Sequence, residues 1–239
     1  MVTGAVRLTL GALAVQYVPS VVTLGAWTPL RALPGGLCRW QGPPTAQVAL
    51  TFDDGPSPEA TPRVLDHLDA LGLRATFFCL GSLAERQPDL LAEVARRGHQ
   101  IETHGYRHEH HLARGPRWVE RDLATAVGVM TDLGHRPTWY RPSYGQLTAS
   151  TLVAARRHRV RTVLWSAWGR EWTTTDPGQV AARIASRLAP GAIVMLHDND
   201  AFGTPGMWKV GEAALDRVAE DLERRRLSAV TLDELVGAP

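Results

Sequence analysis

The sequence has few cysteines and almost no net charge, and both shortages exclude classes of protein. Only Cys38 and Cys79 occur in 239 residues, and no Cys-x-x-Cys pair is present. A zinc-finger framework is therefore excluded, and we expect Cys79, inside an apolar run, to be a buried thiol with no disulfide to Cys38. The sequence contains 26 Lys+Arg residues and 24 Asp+Glu residues, which gives a net charge of +2. Because a nucleic-acid partner requires a concentrated basic stripe, we expect none.

The sequence also lacks a glycine-rich phosphate loop, internal repeats and low-complexity tracts, and what remains is a regular alternation of apolar runs and helical patterns. Such alternation predicts a mostly parallel sheet. Without a phosphate loop, a barrel is favoured over an open doubly wound sheet. We therefore predict an α/β fold, a distorted (β/α) barrel of about seven parallel strands, as a single domain with an N-terminal arm. The predicted strands cover residues 48–52, 75–80, 100–103, 138–141, 161–165, 192–197 and 228–232.

Residues 8–27 carry no charged side chain, and two interpretations of this stretch stay open. A signal peptide or membrane anchor would bring membrane contact through residues 8–27 and would favour the cell envelope or secretion over the cytoplasm. Polar residues and a proline interrupt the run, which favours an arm packed on the domain. We divide the chain into residues 1–45, an apolar arm or anchor with a linker, and residues 46–239, the catalytic domain, and expect a monomer.

Polar side chains gather at the predicted carboxyl ends of five strands. In a parallel barrel these ends meet on one face, where active sites are found. The residues that follow the first strand would by themselves indicate only a turn, because Asp, Gly and Pro are common turn residues. Five such strand ends together favour a functional site, built from Asp53 and Asp54, His104 and His108, Arg141 and Tyr144, Glu171 and Trp172, and His197 and Asp198.

Two of these groups together indicate a metal site. Adjacent carboxylates at Asp53 and Asp54 repel each other unless a cation lies nearby. His104 and His108 are four residues apart, a spacing that one helical turn would bring to the same side. Two imidazoles and one carboxylate leave coordination positions open for water and substrate, as catalysis requires. The spacing also occurs in zincins, but Gly105 replaces their glutamate, so the general base must come from elsewhere.

Five stretches in order, TFDDGP, HGYRH, RPSYG, WSAWGREW and IVMLHD, resemble the motifs of the polysaccharide deacetylases. This family is also called carbohydrate esterase family 4, or the NodB-homology domain. The resemblance covers residues 46–239. It implies a distorted (β/α) barrel that removes N-acetyl groups from an amino sugar. That amino sugar would be part of a polysaccharide, an oligosaccharide or a small glycoside. The reaction it implies uses a metal-bound water, an aspartate base and a histidine acid.

The resemblance also implies roles for individual residues. One divalent metal ion is expected, with zinc (Zn²⁺) preferred and Co²⁺, Mn²⁺, Ni²⁺ or Fe²⁺ as alternatives. The metal would polarise the amide carbonyl and acidify a water, while an acid would protonate the leaving amine. The matching residues are Asp54, His104 and His108 as ligands, Asp53 as base, Arg141 as its partner, the Tyr144 backbone N–H at the oxyanion, and His197 as acid.

The fourth motif departs from the family, which often has aspartates where Trp168 and Glu171 stand here. Glu171 keeps a carboxylate for the support of His197, although its side chain is one methylene longer. Trp168 and Trp172 would stack on sugar rings or simply pack in the core. In the third motif, Ser143 replaces a proline that is common in the family. Two histidines beside the second motif, His110 and His111, are expected to be solvated loop residues.

Two other functions remain open. Two histidines and a carboxylate around open metal positions also describe non-haem-iron oxidoreductases, but these do not require a paired base and acid such as Asp53 and His197. A non-catalytic carbohydrate-binding or envelope protein, inactivated at the fourth motif, is the other alternative. Acetate release would distinguish the deacetylase from both.

Overall fold

Eight parallel strands form the central sheet of the computed structural model, which describes residue 16 and residues 38–237. The strands run in the order β5-β4-β3-β2-β1-β7-β6, and β8 pairs with the start of β1. Their bounds are β1 Gln47–Asp53, β2 Thr76–Cys79, β3 Gln100–Thr103, β4 Trp139–Tyr140, β5 Arg161–Thr162, β6 Ala167–Trp168, β7 Ile193–His197 and β8 Ser228–Val230.

Helices alternate with these strands and cover the outside of the sheet. Within the described residues they are α1 Thr61–Leu71, α2 Gly81–Ala84, α3 Pro88–Arg96, α4 Pro116–Asp132, α5 Ala149–Arg157, α6 Pro177–Ala185, α7 Met207–Ala213, α8 Leu215–Arg225 and α9 Leu232–Val236. Single 3₁₀ turns lie at His111–Ala113, Ser143–Gly145 and Glu171–Thr173. Three helices, α3, α4 and α6, begin with a proline at the first position, where a missing N–H costs nothing.

The predicted distorted (β/α) barrel of about seven parallel strands is confirmed as a curled, incomplete barrel. The predicted strand 161–165 is shorter than expected, and a separate strand, β6, follows it. The residues that follow β5 form hydrogen bonds with the segment that precedes β1. Leu164 N donates to Arg39 O at 2.8 Å. Gln41 then bridges to Ala192 beside β7, so this segment spans the opening between β5 and β7.

The core consists of two main layers on either side of the sheet. Buried side chains of α1, α6 and α8, such as Leu65, Ile184 and Leu222, pack on the outer face. Inside the barrel, Ala49, Phe78 and other apolar residues pack around Trp139 and Leu232. These layers fix the strands in register, so that the carboxyl ends of β1, β3 and β7 reach one face together.

The described residues test little of the N-terminal prediction. The stretch 8–27 lies outside them except for Gln16, whose side chain donates to Ser150 Oγ at 2.7 Å and accepts from Ser150 N at 3.2 Å. Among the described residues, no helix has the length and apolar character needed to span a membrane. Cys38 and Cys79 are both free, and Cys79 is buried as predicted.

Candidate active site

Strand β1 delivers two carboxylates to one place because the backbone turns at its last residues. Asp53 ends β1 and is paired in register with His197 at the end of β7. Asp54 follows with a positive φ of 77°, a conformation that Asp tolerates better than most residues. The change of direction therefore occurs at Asp54, one residue before the Gly55-Pro56 pair. Gly55 is still required, since a Cβ there would lie 2.3 Å from Asp198 Oδ2.

Three side chains converge in a geometry that fits a metal ion. The Nε2 atoms of His104 and His108 each lie 3.2 Å from Asp54 Oδ1, and all three side chains are nearly inaccessible to solvent. Asp54 Oδ1 has no hydrogen-bond partner among the described residues. Three ligand-type atoms within 4.8 Å of one another, one of them an unpaired buried oxygen, are the arrangement that a cation would complete.

The protonation states of Asp54 and His108 also suit a cation. Burial opposes the charge of Asp54, but its contact with His104 and the nearby histidine charges lower the pKa to about 2. Burial lowers the pKa of His108 to about 4. An ionised carboxylate and a neutral imidazole are the forms that bind metal.

The loop that carries the two histidines is held by Asp122 of α4, a residue that the sequence analysis missed. The Asp122 carboxylate accepts from Tyr106 N at 3.0 Å and from Arg107 N at 3.1 Å. Gly105 has a φ of 93°, and a Cβ at this position would lie 2.9 Å from Asp122 Oδ2. The loop therefore folds tightly around a buried carboxylate and fixes the spacing of the two imidazoles.

Arg141 binds the other carboxylate of the pair, Asp53, deep in the barrel. Its Nη1 donates to Asp53 Oδ1 at 2.6 Å and to Thr51 Oγ1 at 2.7 Å, and its Nη2 donates to Leu164 O at 3.1 Å. The guanidinium lies 4.0 Å above the ring of Phe78 and is fully buried. A buried cation in this position compensates the negative charge of the Asp53 carboxylate and fixes its direction.

Glu171 contacts His197 directly, in spite of its longer side chain. Glu171 Oε1 lies 2.7 Å from His197 Nδ1, and the Glu171 side chain is fully buried. Burial alone would lower the pKa of His197, but the Glu171 charge and hydrogen bond, with Asp54 and Asp53 farther away, raise it to about 9. Because Nδ1 faces Glu171, Nε2 is the nitrogen left for the cavity that His197 lines.

Aromatic side chains form most of the remaining wall of this cavity, whose volume is about 300 Å³. Trp168 lies 5.6 Å from Trp165 and 5.5 Å from Trp172, centroid to centroid, and Trp172 meets the His197 ring edge-on at 5.5 Å. Phe202, in the loop before α7, lies 4.6 Å from the ring of His108. The sequence analysis did not place Trp165 or Phe202 at the site.

Tyr144 lies at the rim, in the 3₁₀ turn that follows β4. Its φ is 57°, and its ring is stacked on His110 at 3.7 Å and tilted against His108 at 4.3 Å. The expectation that His111 is a solvated loop residue was wrong. His111 is buried, with Nδ1 3.0 Å from Thr151 Oγ1 and Nε2 3.3 Å from the Tyr140 hydroxyl. These partners come from α5 and β4, which local sequence does not reveal.

The carboxyl end of β7 supplies two further positioning residues. Asn199 Nδ2 donates to Asp54 O at 3.0 Å, which holds the left-handed backbone of this candidate metal ligand. Asp198 Oδ2 accepts from Thr61 Oγ1 at 2.5 Å. Burial raises the pKa of Asp198 to about 7. The sequence analysis placed Asp198 at the site without a role and did not consider Asn199.

Comparisons with known proteins agree with this geometry. The sequence model of the polysaccharide deacetylase family matches residues 41–163. A peptidoglycan-N-acetylglucosamine deacetylase of Bacillus cereus is 30% identical over 214 residues, which cover 88% of this chain and 76% of that protein. A chitooligosaccharide deacetylase of a Bradyrhizobium strain is 33% identical over 156 residues, 64% of this chain and 71% of that protein.

A solved structure is also similar. The crystal structure of a peptidoglycan N-acetylglucosamine deacetylase in complex with 4-naphthalen-1-yl-N-oxidanyl-benzamide superposes with a TM-score of 0.79 at 27% sequence identity. The alignment covers 90% of this chain and 97% of that structure. The family match extends over half of the chain, and the two relatives named above share most of their length with it. The chain therefore belongs to the polysaccharide deacetylase family.

Proposed function

We propose that this chain is a metal-dependent N-deacetylase that hydrolyses the acetamido group of an amino sugar. One observation carries the proposal: three groups line or adjoin one cavity. They are the metal-type triad, the carboxylate paired with Arg141, and the histidine paired with Glu171. A hydrolase that cleaves an amide requires an electrophilic centre, a base and an acid within reach of one bond.

The triad of Asp54, His104 and His108 would hold the cation. One carboxylate and two imidazoles suit Zn²⁺, and the same set also accepts Co²⁺, Mn²⁺, Ni²⁺ or Fe²⁺. When bound, such an ion supplies Lewis acidity toward the amide oxygen and lowers the pKa of a nearby water.

Asp53 acts as the general base in this proposal. Arg141 donates to one of its oxygens, Oδ1, and orients the carboxylate, whose other oxygen would take a proton from the attacking water. The backbone N–H of Tyr144 is proposed to donate to the oxyanion that forms at the acetyl carbon.

His197 acts as the general acid. Its Nδ1 faces Glu171, so the proton for the departing nitrogen is held at Nε2. The raised pKa, about 9, keeps the imidazolium populated at neutral pH. Delivery of this proton lets the sugar leave as an amine, and acetate is the other product. Trp168 and Trp172 would contact the substrate beside this acid.

The names of the relatives guide the choice of substrate. They act on peptidoglycan N-acetylglucosamine and on chitooligosaccharides, so an N-acetylglucosamine unit is the proposed substrate. Peptidoglycan would place the protein in the cell envelope. We keep residues 46–239 as the proposed catalytic domain and residues 1–45 as the arm or anchor with its linker.

A product analysis tests this function. The protein, loaded with Zn²⁺ or Co²⁺, is incubated with chitooligosaccharides and with peptidoglycan, and acetate and free amine are quantified together. We expect equal amounts of both from at least one substrate. An oxidised sugar without acetate would indicate an oxidoreductase instead. No turnover in a fully metal-loaded protein would indicate a binding protein.

A further inference from the structure

The cavity beside the reacting groups has few of the polar side chains that usually recognise sugar hydroxyls. Apart from Asp53, Asp54 and the three histidines, its lining has no charged and no carboxamide side chain among the described residues. Thr204 lines it, but its hydroxyl already donates to Trp172 O at 2.9 Å. The other side chains are aromatic or thioether groups, whose polar atoms are the Tyr144 hydroxyl and the indole nitrogens; they come from Tyr144, Trp165, Trp168, Trp172, Met195, Phe202 and Met207.

This composition favours an apolar group over a second sugar ring. Each hydroxyl that enters the cavity loses its water and needs a replacement partner, and an unpaired one is costly. A hydrocarbon ring has no such requirement and gains from burial against aromatic walls. Of the three large apolar side chains that are exposed within residues 38–237, Tyr144 and Phe202 stand at this cavity, at 40% and 39% exposure. Such exposure beside a cavity indicates a ligand surface.

The position of the aromatic wall identifies the part of the substrate that it would meet. The wall runs from Trp165 through Trp168 to Trp172, which touches the ring of His197. His197 protonates the nitrogen on C2 of the amino sugar. C2 is bonded to the anomeric carbon and to C3, so the oxygens on both carbons leave the sugar close to this histidine, and of the two the anomeric oxygen is the one that carries the aglycone of a glycoside.

We propose that the cavity binds an apolar aglycone. The preferred substrate is then an N-acetylated amino sugar with an aryl or alkyl group on its anomeric oxygen, rather than an N-acetylglucosamine chain. This inference rests on the proposed deacetylase function and refines its substrate class.

Three small substrates test it. We would measure kcat/KM for acetate release from phenyl β-N-acetylglucosaminide, methyl β-N-acetylglucosaminide and N,N′-diacetylchitobiose. Burial of a phenyl ring predicts a preference for phenyl over methyl of about tenfold or more. Chitobiose should be a poorer substrate than the phenyl glycoside, because its second sugar brings hydroxyls into the cavity.

Variants distinguish an effect of the cavity on the phenyl-to-methyl ratio of kcat/KM from a general loss of activity. Phe202→Ala removes an exposed loop side chain, and Trp168→Asp replaces the centre of the aromatic wall by a polar group. Both should bring the phenyl-to-methyl ratio toward one. Val153 of α5, the third exposed apolar residue, lies outside the lining, so Val153→Ala is the matched control and should leave the ratio unchanged.

The outcomes are distinguishable. Acetate release with a phenyl-to-methyl ratio near one, or with chitobiose preferred, overturns the aglycone proposal and leaves the deacetylase function in place. A high ratio that survives Phe202→Ala in a folded protein also overturns it. No acetate from any of the three substrates or from longer glycans overturns the deacetylase function and the aglycone proposal together.

Discussion

Replacement of Glu171 by glutamine removes the negative charge that faces His197 and keeps the shape of the side chain. The pKa of His197 is raised from 6.5 to about 9, with Glu171 as the largest stabilising partner. This difference corresponds to roughly 3 kcal/mol in favour of the imidazolium. Asp54 and Asp53 also contribute, so the loss of Glu171 should lower the pKa by about one to two pH units.

The effect on turnover depends on pH in a defined way. His197 must be protonated to act as acid, so a lower pKa moves the alkaline limb of the kcat profile to lower pH. The pKa of His197 is about 9 in the wild type. A decrease of about 1.5 pH units would give about 7.5 in Glu171→Gln, so at pH 9 about half of the wild-type histidine and about 3% of the variant histidine are protonated. Turnover at pH 9 should therefore fall about fifteenfold, while at pH 6 it should change little. A bound cation lowers both pKa values, so the displacement between the two profiles is the quantity to compare.

The assay is a pH–rate profile of acetate release for Glu171→Gln, Glu171→Asp and the wild type at equal metal content. Glu171→Asp keeps the charge and should be milder. Glu220 of α8 is exposed, and Glu220→Gln makes the same charge change away from the site. An alkaline limb in Glu171→Gln that coincides with that of the wild type would refute the role of Glu171.

Three further perturbations have expected results. His104→Ala should lose bound metal and activity together, and full metal occupancy in this variant would contradict the ligand assignment. The pKa of His67 is raised by contacts with Asp216 and Glu212, against the effect of burial, so its stabilising contribution is present below pH 6.5 and is lost as the pH rises through the raised pKa. His67→Gln should therefore lower the free energy of unfolding by up to about 1 kcal/mol at pH 6 and by almost nothing at pH 9, as measured by urea titration. Deletion of residues 1–37 should lower the Tm, since Gln16 bonds to α5, whereas recovery of the full chain only in a membrane fraction would indicate an anchor.

The sequence was sufficient to predict which residues meet at the site, because their positions follow from strand ends. The carboxyl ends of parallel strands share one face, so Asp53, His104, Arg141 and His197 could be grouped before any coordinates were known. The fold class followed from the same alternation of strands and helices, and the structure confirms it.

Features that depend on tertiary partners could not be predicted. Asp122 is one polar residue on a helix, and its function is visible only when the loop of His104 folds back on it. The left-handed backbone of Asp54 depends on Asn199, 145 residues away in the chain. The early end of β5 results from pairing with the segment around Arg39, which a local apolar pattern does not indicate.

The division of labour between Asp53 and Asp54 is the central claim, and one variant tests it most directly. Asp53→Asn should keep one metal ion per chain, measured by elemental analysis, while acetate release falls by ~10²–10⁴-fold. Asp54→Asn, measured alongside, should lose the metal. Loss of metal in Asp53→Asn, or acetate release at the wild-type rate, would contradict the assignment of Asp53 as base.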